Sequence, residues 1–222
     1  MASDYVFHEQ VYWEYIDEVD NSKGFYVVSD YGCNLPGGIV RISQDDVDLF
    51  QKAQDAARFA IEQYNEKENA NMELVKILNL NIEPAAGLMY YITLEAKNMS
   101  NNEVNHYQAK VWATINTGFR VEGFGLAPYV AKSSESVRDD SSSCIRIENL
   151  HSWMDENYLF YKCFYRAREL LSIKVRRNVH NDQSKRHGFL QFRTRSAAEK
   201  ILVAYEDKLM PYANQSFKLS WA

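Results

Sequence analysis

The sequence predicts an α+β protein of two domains, a long helix on an antiparallel sheet followed by a smaller βαββαβ unit. Three observations carry this reading. Residues 131–143, AKSSESVRDDSSS, hold six serines, no aromatic residue and a single Val. Such a stretch cannot bury a face and is expected to be a linker between a domain at 1–130 and another at 144–222. Charge divides at the same place: residues 144–222 hold 14 Lys and Arg against 8 Asp and Glu, residues 1–143 hold 11 against 22, and the overall −5 conceals the contrast. A basic half beside an acidic half points to a module that faces nucleic acid. The third observation is periodicity, which runs helix then several strands in the first half and alternates strand with helix in the second.

The first 40 residues scatter Tyr12, Trp13, Tyr15, Phe25 and Tyr26 among carboxylates and are expected to pack rather than float, as an extension without an assigned element. Ser43 is the expected N-cap of a helix of about 20 residues, with Asp46 as its capping-box partner. Val47, Phe50, Ala57, Ala60, Ile61 and Tyr64 form the apolar face, opposite Lys52, Asp55 and Glu62. Alternating strands follow: Leu74, Leu78, Leu80 and Ile82; Leu88 to Ala96; Tyr107 to Ile115; and Phe119 to Leu126. A helix followed by consecutive antiparallel strands is an α+β layer.

These residues carry a resemblance. Ala56 to Asn65, AARFAIEQYN, resembles the helix signature of plant cystatins, and LPGGI, GLMYYITLEA and YQAKVW resemble that family's N-terminal trunk and later strands, over about Leu35 to Ile115. Membership would imply a cystatin-like fold and a three-part wedge against papain-like cysteine proteases. Gly37 and Gly38 match the trunk. The first hairpin reads Glu83-Pro84-Ala85-Ala86-Gly87, which keeps the glycine of Gln-x-Val-x-Gly but has Glu for Gln and Ala for Val. The Pro-Trp of the second hairpin is missing. Two readings stand: a scaffold without tight inhibition, or a weakened inhibitor.

In the second half, Ile145–Glu148, Leu171–Arg177, His187–Phe192 and Phe217–Trp221 read as strands. Helices are expected over Asp155–Tyr165 and over Ser196–Tyr205, the latter opened by a Ser196-x-x-Glu199 capping box. The order is ferredoxin-like. Alternation turns Ile145, Ile147, Ile173, Val175, Leu190 and Phe192 toward the helices. It leaves Arg146, Glu148, Lys174, Arg176, His187, Phe189 and Gln191 on the other face.

Lys185 to Phe192, KRHGFLQF, resembles the octapeptide of RNA-recognition motifs, and IRIENL at Ile145 to Leu150 resembles its partner hexapeptide. SWMDENYLF, SIKVRRN, SAAEKIL and MPYANQSFKLSWA resemble the first motif of plant polyadenylate- and oligouridylate-binding three-motif proteins. The resemblance implies single-stranded, U- or A-rich RNA as partner, bound through Arg146, Lys174, Arg176, Lys185, His187, Phe189 and Gln191. Such motifs stack two or three bases on aromatic side chains. Here Phe189 alone is fully aromatic, Arg146 stands where a ring is expected and Glu148 opposes phosphate, so binding is expected to be weak. Those relatives carry further motifs, and with this chain stopping at Ala222 no multi-motif avidity is expected. Use of the same surface for protein contact is the other reading, as is an interaction scaffold with both sites degenerate.

Several classes find no support. There is no Gly-rich phosphate loop, HExxH or G-x-S-x-G, and His8, His106, His151, His180 and His187 are dispersed, so neither enzyme nor cofactor is expected. Asp45-Asp46 and Asp139-Asp140 read as a helix start and a solvated linker. Cys33, Cys144 and Cys163 lack metal-ligand spacing and suit reduced thiols. No apolar run approaches a membrane span, and the N-terminus lacks a signal-peptide pattern. A cytoplasmic or nuclear, non-secreted protein is expected.

Overall fold

The computed structural model describes residues 9–130, 143–178 and 181–222; residues 131–142, where the sequence places a linker and which include Asp139 and Asp140, lie outside them, as do His8 and His180. Two compact units divide at Ala127/Pro128. This is slightly earlier than the sequence suggested, because Tyr129 is built into the second unit. Its ring is buried, its carbonyl accepts from Ile173 N at 3.0 Å and its hydroxyl donates to Asn157 Oδ1 at 3.1 Å. Ser143, assigned to the linker from composition, is likewise buried and accepts from Gln191 Nε2 at 2.8 Å.

In the first unit β1 (Val40–Arg41), β2 (Met72–Pro84), β3 (Gly87–Asn98), β4 (Val104–Thr114) and β5 (Gly118–Leu126) form one antiparallel sheet in that order. α2 (Val47–Glu68) lies across it. Its cap is Asp46, whose carboxylate accepts from Leu49 N at 3.2 Å, whereas Ser43, the expected cap, bonds Asp45. The helix ends at Asn69, which adopts φ 52°, a left-handed conformation that Asn tolerates. Its buried stripe is mostly alanine: Ala53, Ala56, Ala57 and Ala60 with Ile61. Small side chains let the helix approach the sheet closely. Val47, expected on this stripe, sits in the first turn and is exposed.

Two bulges in β2, at Leu74/Lys76 and Ile77/Asn79, alter the strict alternation expected there. Each inserts an extra residue into the ladder. Ile77, opposite Leu94, therefore enters the core with Leu80 and Ile82, while Leu78 is left half-buried. Ile115, assigned to β4 by its pattern, lies in the β4–β5 turn and is 76% exposed.

The sheet's second face is covered too, by the segment without an assigned element. α1 (Glu9–Ser22) and a 3-10 turn (Asp30–Asn34) pack Tyr15, Val27, Tyr31 and Ile39 against Tyr91 of β3. Polar groups fix this cover. Glu18, buried, accepts from Val28 N and Ser29 N at 2.9 and 2.8 Å, and the Tyr15 hydroxyl accepts from Ile39 N at 2.7 Å. From the sheet, Asn79 and Asn81 each donate a side-chain amide, at 2.7 Å, to the carbonyls of Phe25 and Gly24.

The second unit places β7 (Leu170–Arg177), β8 (Ser184–Phe192), β6 (Cys144–Glu148) and β9 (Lys218–Trp221) side by side in that order. The mixed helix–sheet layer and the βαββαβ order agree with the sequence reading. α4 (Arg195–Tyr205) is capped by Thr194, whose hydroxyl accepts from Ala197 N at 3.2 Å, in place of the expected Ser196 box. α3 (Glu156–Tyr158) runs straight into a π-helical turn, Leu159–Phe164, which buries Leu159, Tyr161, Cys163 and Phe164. Ile145, Ile147, Ile173, Val175, Leu190 and Phe192 are all at most 5% exposed, the inward set that alternation gave.

Among the described residues of this unit, an ion pair joins helix to sheet. Glu156, 4% exposed, accepts Val175 N at 2.8 Å and both Arg177 guanidinium nitrogens at 2.9 and 2.7 Å, which holds Arg177 above its ordinary pKa. Removing one partner of a buried pair costs about 3–5 kcal/mol, and Arg177 keeps some access to water, so Glu156→Ala should cost about 3 kcal/mol. Urea unfolding of the second unit measures it, and a loss below about 1 kcal/mol, as for an exposed pair, would show that water screens the interaction.

Candidate functional sites

The second unit leaves one sheet face uncovered by its helices, and register shows what that face presents. Lys174 pairs with Phe189, Phe189 with Arg146 and Arg146 with Ser220, one rung across all four strands. Directly opposed residues of antiparallel strands project to the same side. Around Phe189 the Arg176 guanidinium lies 5.3 Å from the ring centre and the His187 ring meets it edge-on at 6.0 Å. The centre of the face is thus an aromatic ring framed by Lys174, Arg176 and Arg146.

Glu148 behaves differently from a free carboxylate. Lys218 Nζ and Arg146 Nη2 each lie 3.0 Å from one of its oxygens, and these two cations, Lys218 first, hold its pKa below the ordinary value. Its charge is divided between two neighbours, and the three side chains together are net positive. Lys218 was missed by the sequence reading; its alignment with Glu148 needs the β6–β9 register, which no local pattern supplies.

The other expected contacts are less uniform. Gln191 shares the face but donates to Ser143. Lys185 is exposed beside Arg186, whose φ of 62° interrupts the alternation, and its carbonyl lies 3.1 Å from His187 Nδ1. Five residues therefore converge, Arg146, Lys174, Arg176, His187 and Phe189, with Lys185 and Gln191 at the margins.

In the first unit, the trunk, the first hairpin and the β4–β5 turn share one edge of the sheet. Val40 pairs with Ile82 and Gly87 with Thr114, which brings the chain before β1 and both turns to that end. Gly37, at φ 73°, lies beside the Pro84 carbonyl. Gly87, at φ 122°, has no room for a side chain because a methyl there would strike the Ala113 carbonyl. Ala86 is also at positive φ, and Trp112 Nε1 donates to the Ala85 carbonyl at 2.8 Å, fixing the hairpin tip. Gly38 is buried against Gly32, and Glu83 accepts from the Tyr91 hydroxyl at 2.6 Å. Pro84, Ala85, Ala86 and Gly37 are left at the edge, joined by the exposed Ile115.

Residues 37–120 match the family model of the cystatin domain. That span covers the trunk glycines, the helix and the sheet through the second hairpin. The chain thus carries a cystatin-like domain, and over 100 residues it is 41% identical to the multicystatin of Solanum tuberosum, covering 45% of this chain and 12% of that protein. It is also 45% identical over 88 residues to polyadenylate-binding protein RBP47 of Nicotiana plumbaginifolia, covering 40% of this chain and 20% of that one. Polyadenylate-binding protein RBP45 of the same plant is 51% identical over 76 residues, 34% of this chain and 18% of its own length. The chain spans about a fifth or less of the length of these relatives.

Among the described residues no three His, Cys, Asp or Glu side chains are grouped to hold a metal, and no helix is long and apolar enough to cross a membrane. The thiols differ in setting. Cys163 is buried, which pushes its pKa up to about 12, whereas Cys33 is exposed. Only thiolate reacts readily. Iodoacetamide should therefore modify Cys33 of the native protein and spare Cys163 until denaturant is added, as peptide mass spectrometry would record; rapid native labelling of Cys163 would mean that the π-helical turn opens.

Proposed function

We propose that the protein binds single-stranded RNA through the open sheet face of its second unit, in a binding role without catalysis and in the nucleus or cytoplasm. The observation that carries this reading is the rung Lys174–Phe189–Arg146 with Arg176 over the ring: a stacking surface ringed by cations, which is what a single strand needs. The relatives named as polyadenylate-binding proteins support it and suggest A-rich sequences. Arg146, Lys174, Arg176, His187 and Phe189 would be the main contacts, with Lys185 and Gln191 lesser ones. Binding to this face alone is weak because one ring does the stacking there and phosphate contacts supply the rest.

A stacked base contributes ~1–3 kcal/mol, so Phe189→Ala should weaken binding by about tenfold or more. Fluorescence anisotropy with labelled oligoadenylate or oligouridylate reads this directly. A variant that binds as well as the parent would show that the face is not the RNA site and would favour protein contact.

A second reading rests on the first unit's edge, where the trunk, the first hairpin and Ile115 come together. There the chain would enter the cleft of a papain-like protease, with Gly37 and the turn Pro84 to Gly87 in contact and with Gly38 and Glu83 holding those segments from behind. Ala85 stands where the family has Val, and two missing methyl carbons are worth about 1–2 kcal/mol. Ala85→Val should therefore lower the inhibition constant of the full chain against papain by about tenfold. If neither protein inhibits papain, the edge has no such role.

A further inference from the structure

The second unit also carries two rings on the loop between β6 and α3, Trp153 exposed and His151 half-buried. That loop is anchored at three points. Leu150 is fully buried, its N–H donates to the Arg186 carbonyl at 3.0 Å, and its own carbonyl accepts from Arg186 Nε at 3.0 Å. Gln215 donates to the Asn149 carbonyl, and Met154 is buried beneath the loop. Between these anchors His151 and Trp153 stack in parallel, ring centres 6.0 Å apart at 10°, with Trp153 51% exposed.

The surface continues past Trp153. Its ring packs edge-on against Tyr158 at 4.9 Å, and the Tyr158 hydroxyl donates to the Pro211 carbonyl at 2.7 Å. The next residue, Tyr212, is 63% exposed, and the Lys162 ammonium lies 5.2 Å from its ring centre. Rings on an anchored loop, and a further exposed ring on a neighbouring segment with a cation over it, are the elements from which single-strand platforms are made. The neighbouring acids are both engaged by the protein itself. Asp155 is turned inward as the cap of α3, where burial raises its pKa, and Glu156 is engaged by Arg177.

Location ties this surface to the sheet face. His151 is three residues past Glu148, at most ~11 Å of extended chain from the rim of the open face. Arg186, which grips Leu150, is the residue before His187 of that face.

We propose that His151, Trp153 and Tyr212, with Lys162 beside them, form a second stacking subsite onto which an RNA strand continues after leaving the sheet face. The proposal rests on the RNA-binding reading of that face and extends its footprint. It makes affinity depend on strand length: an oligomer of about four nucleotides occupies the sheet alone, and one of about ten reaches the loop as well.

The test is anisotropy of the full chain with labelled oligouridylate or oligoadenylate of both lengths. Trp153→Ala should weaken the long oligomer about tenfold and leave the short one nearly unchanged, Tyr212→Ala should act in the same direction, and Phe189→Ala should weaken both. Trp153→Phe, which keeps a ring on Tyr158, should retain most of the length advantage and separates stacking from loss of loop structure. If Trp153→Ala and Tyr212→Ala leave the length advantage intact while Phe189→Ala lowers binding, the subsite is overturned and the patch is left to protein contact. If the parent binds neither oligomer, the reading of the sheet face fails, and the subsite with it.

Discussion

A β-sheet has two faces, and backbone pairing fixes them with opposite sets of side chains, so a chain that builds a sheet must find a use for both. The two units resolve this constraint in opposite ways. In the cystatin-like unit α2 covers one face with an alanine stripe, and the N-terminal segment covers the other with Tyr15, Val27, Tyr31 and Ile39. What is left exposed is then the sheet's edge, where strand ends and turns meet. In the second unit both helices lie on one side, and the free face carries Lys174, Phe189, Arg146 and Arg176. The candidate site follows from which face is left uncovered.

Charge is managed with the same economy of position. Two carboxylates of the basic unit are each held by neighbouring cations: Glu156 in the interior by Arg177, and Glu148 at the surface by Arg146 and Lys218. The interior pair fixes the helix to the sheet. The surface group orders two long cations without removing the positive character of the face. A Glu that reads as repulsive to phosphate in sequence thus acts as an organiser of the residues around it.

The order of elements from α2 to β5 and from β6 to β9, and the inward-facing set Ile145, Ile147, Ile173, Val175, Leu190 and Phe192, were legible because helical and strand periodicity are local properties. The departures have equally physical sources. Bulges in β2 replace Leu78 by Ile77 in the core, and a bulge is invisible until the partner strand is known. Ile115 continues an alternation that the β4–β5 turn has already ended. Helix starts moved because Ser43, Asp46, Thr194 and Ser196 are all capable caps, and only the path of the entering chain selects among them. The candidate RNA residues on β6, β7 and β8 were legible from strand pattern; Lys218 and the ring cluster at Trp153 depend on pairing between distant segments.

The back-to-back contact of Gly32 and Gly38 alters what counts as the boundary of the cystatin-like domain. Each glycine occupies the space where the other segment's backbone passes, so a methyl group on either would meet a main-chain carbonyl. The 37–120 span that matches the family is therefore not a self-sufficient piece of this molecule. Excised at residue 37, it would bare the Tyr91 ring and strand the side-chain amides of Asn79 and Asn81, whose partners are the carbonyls of Phe25 and Gly24. The residues before the trunk are a third layer of the domain, and an excision that respects its physics begins at α1.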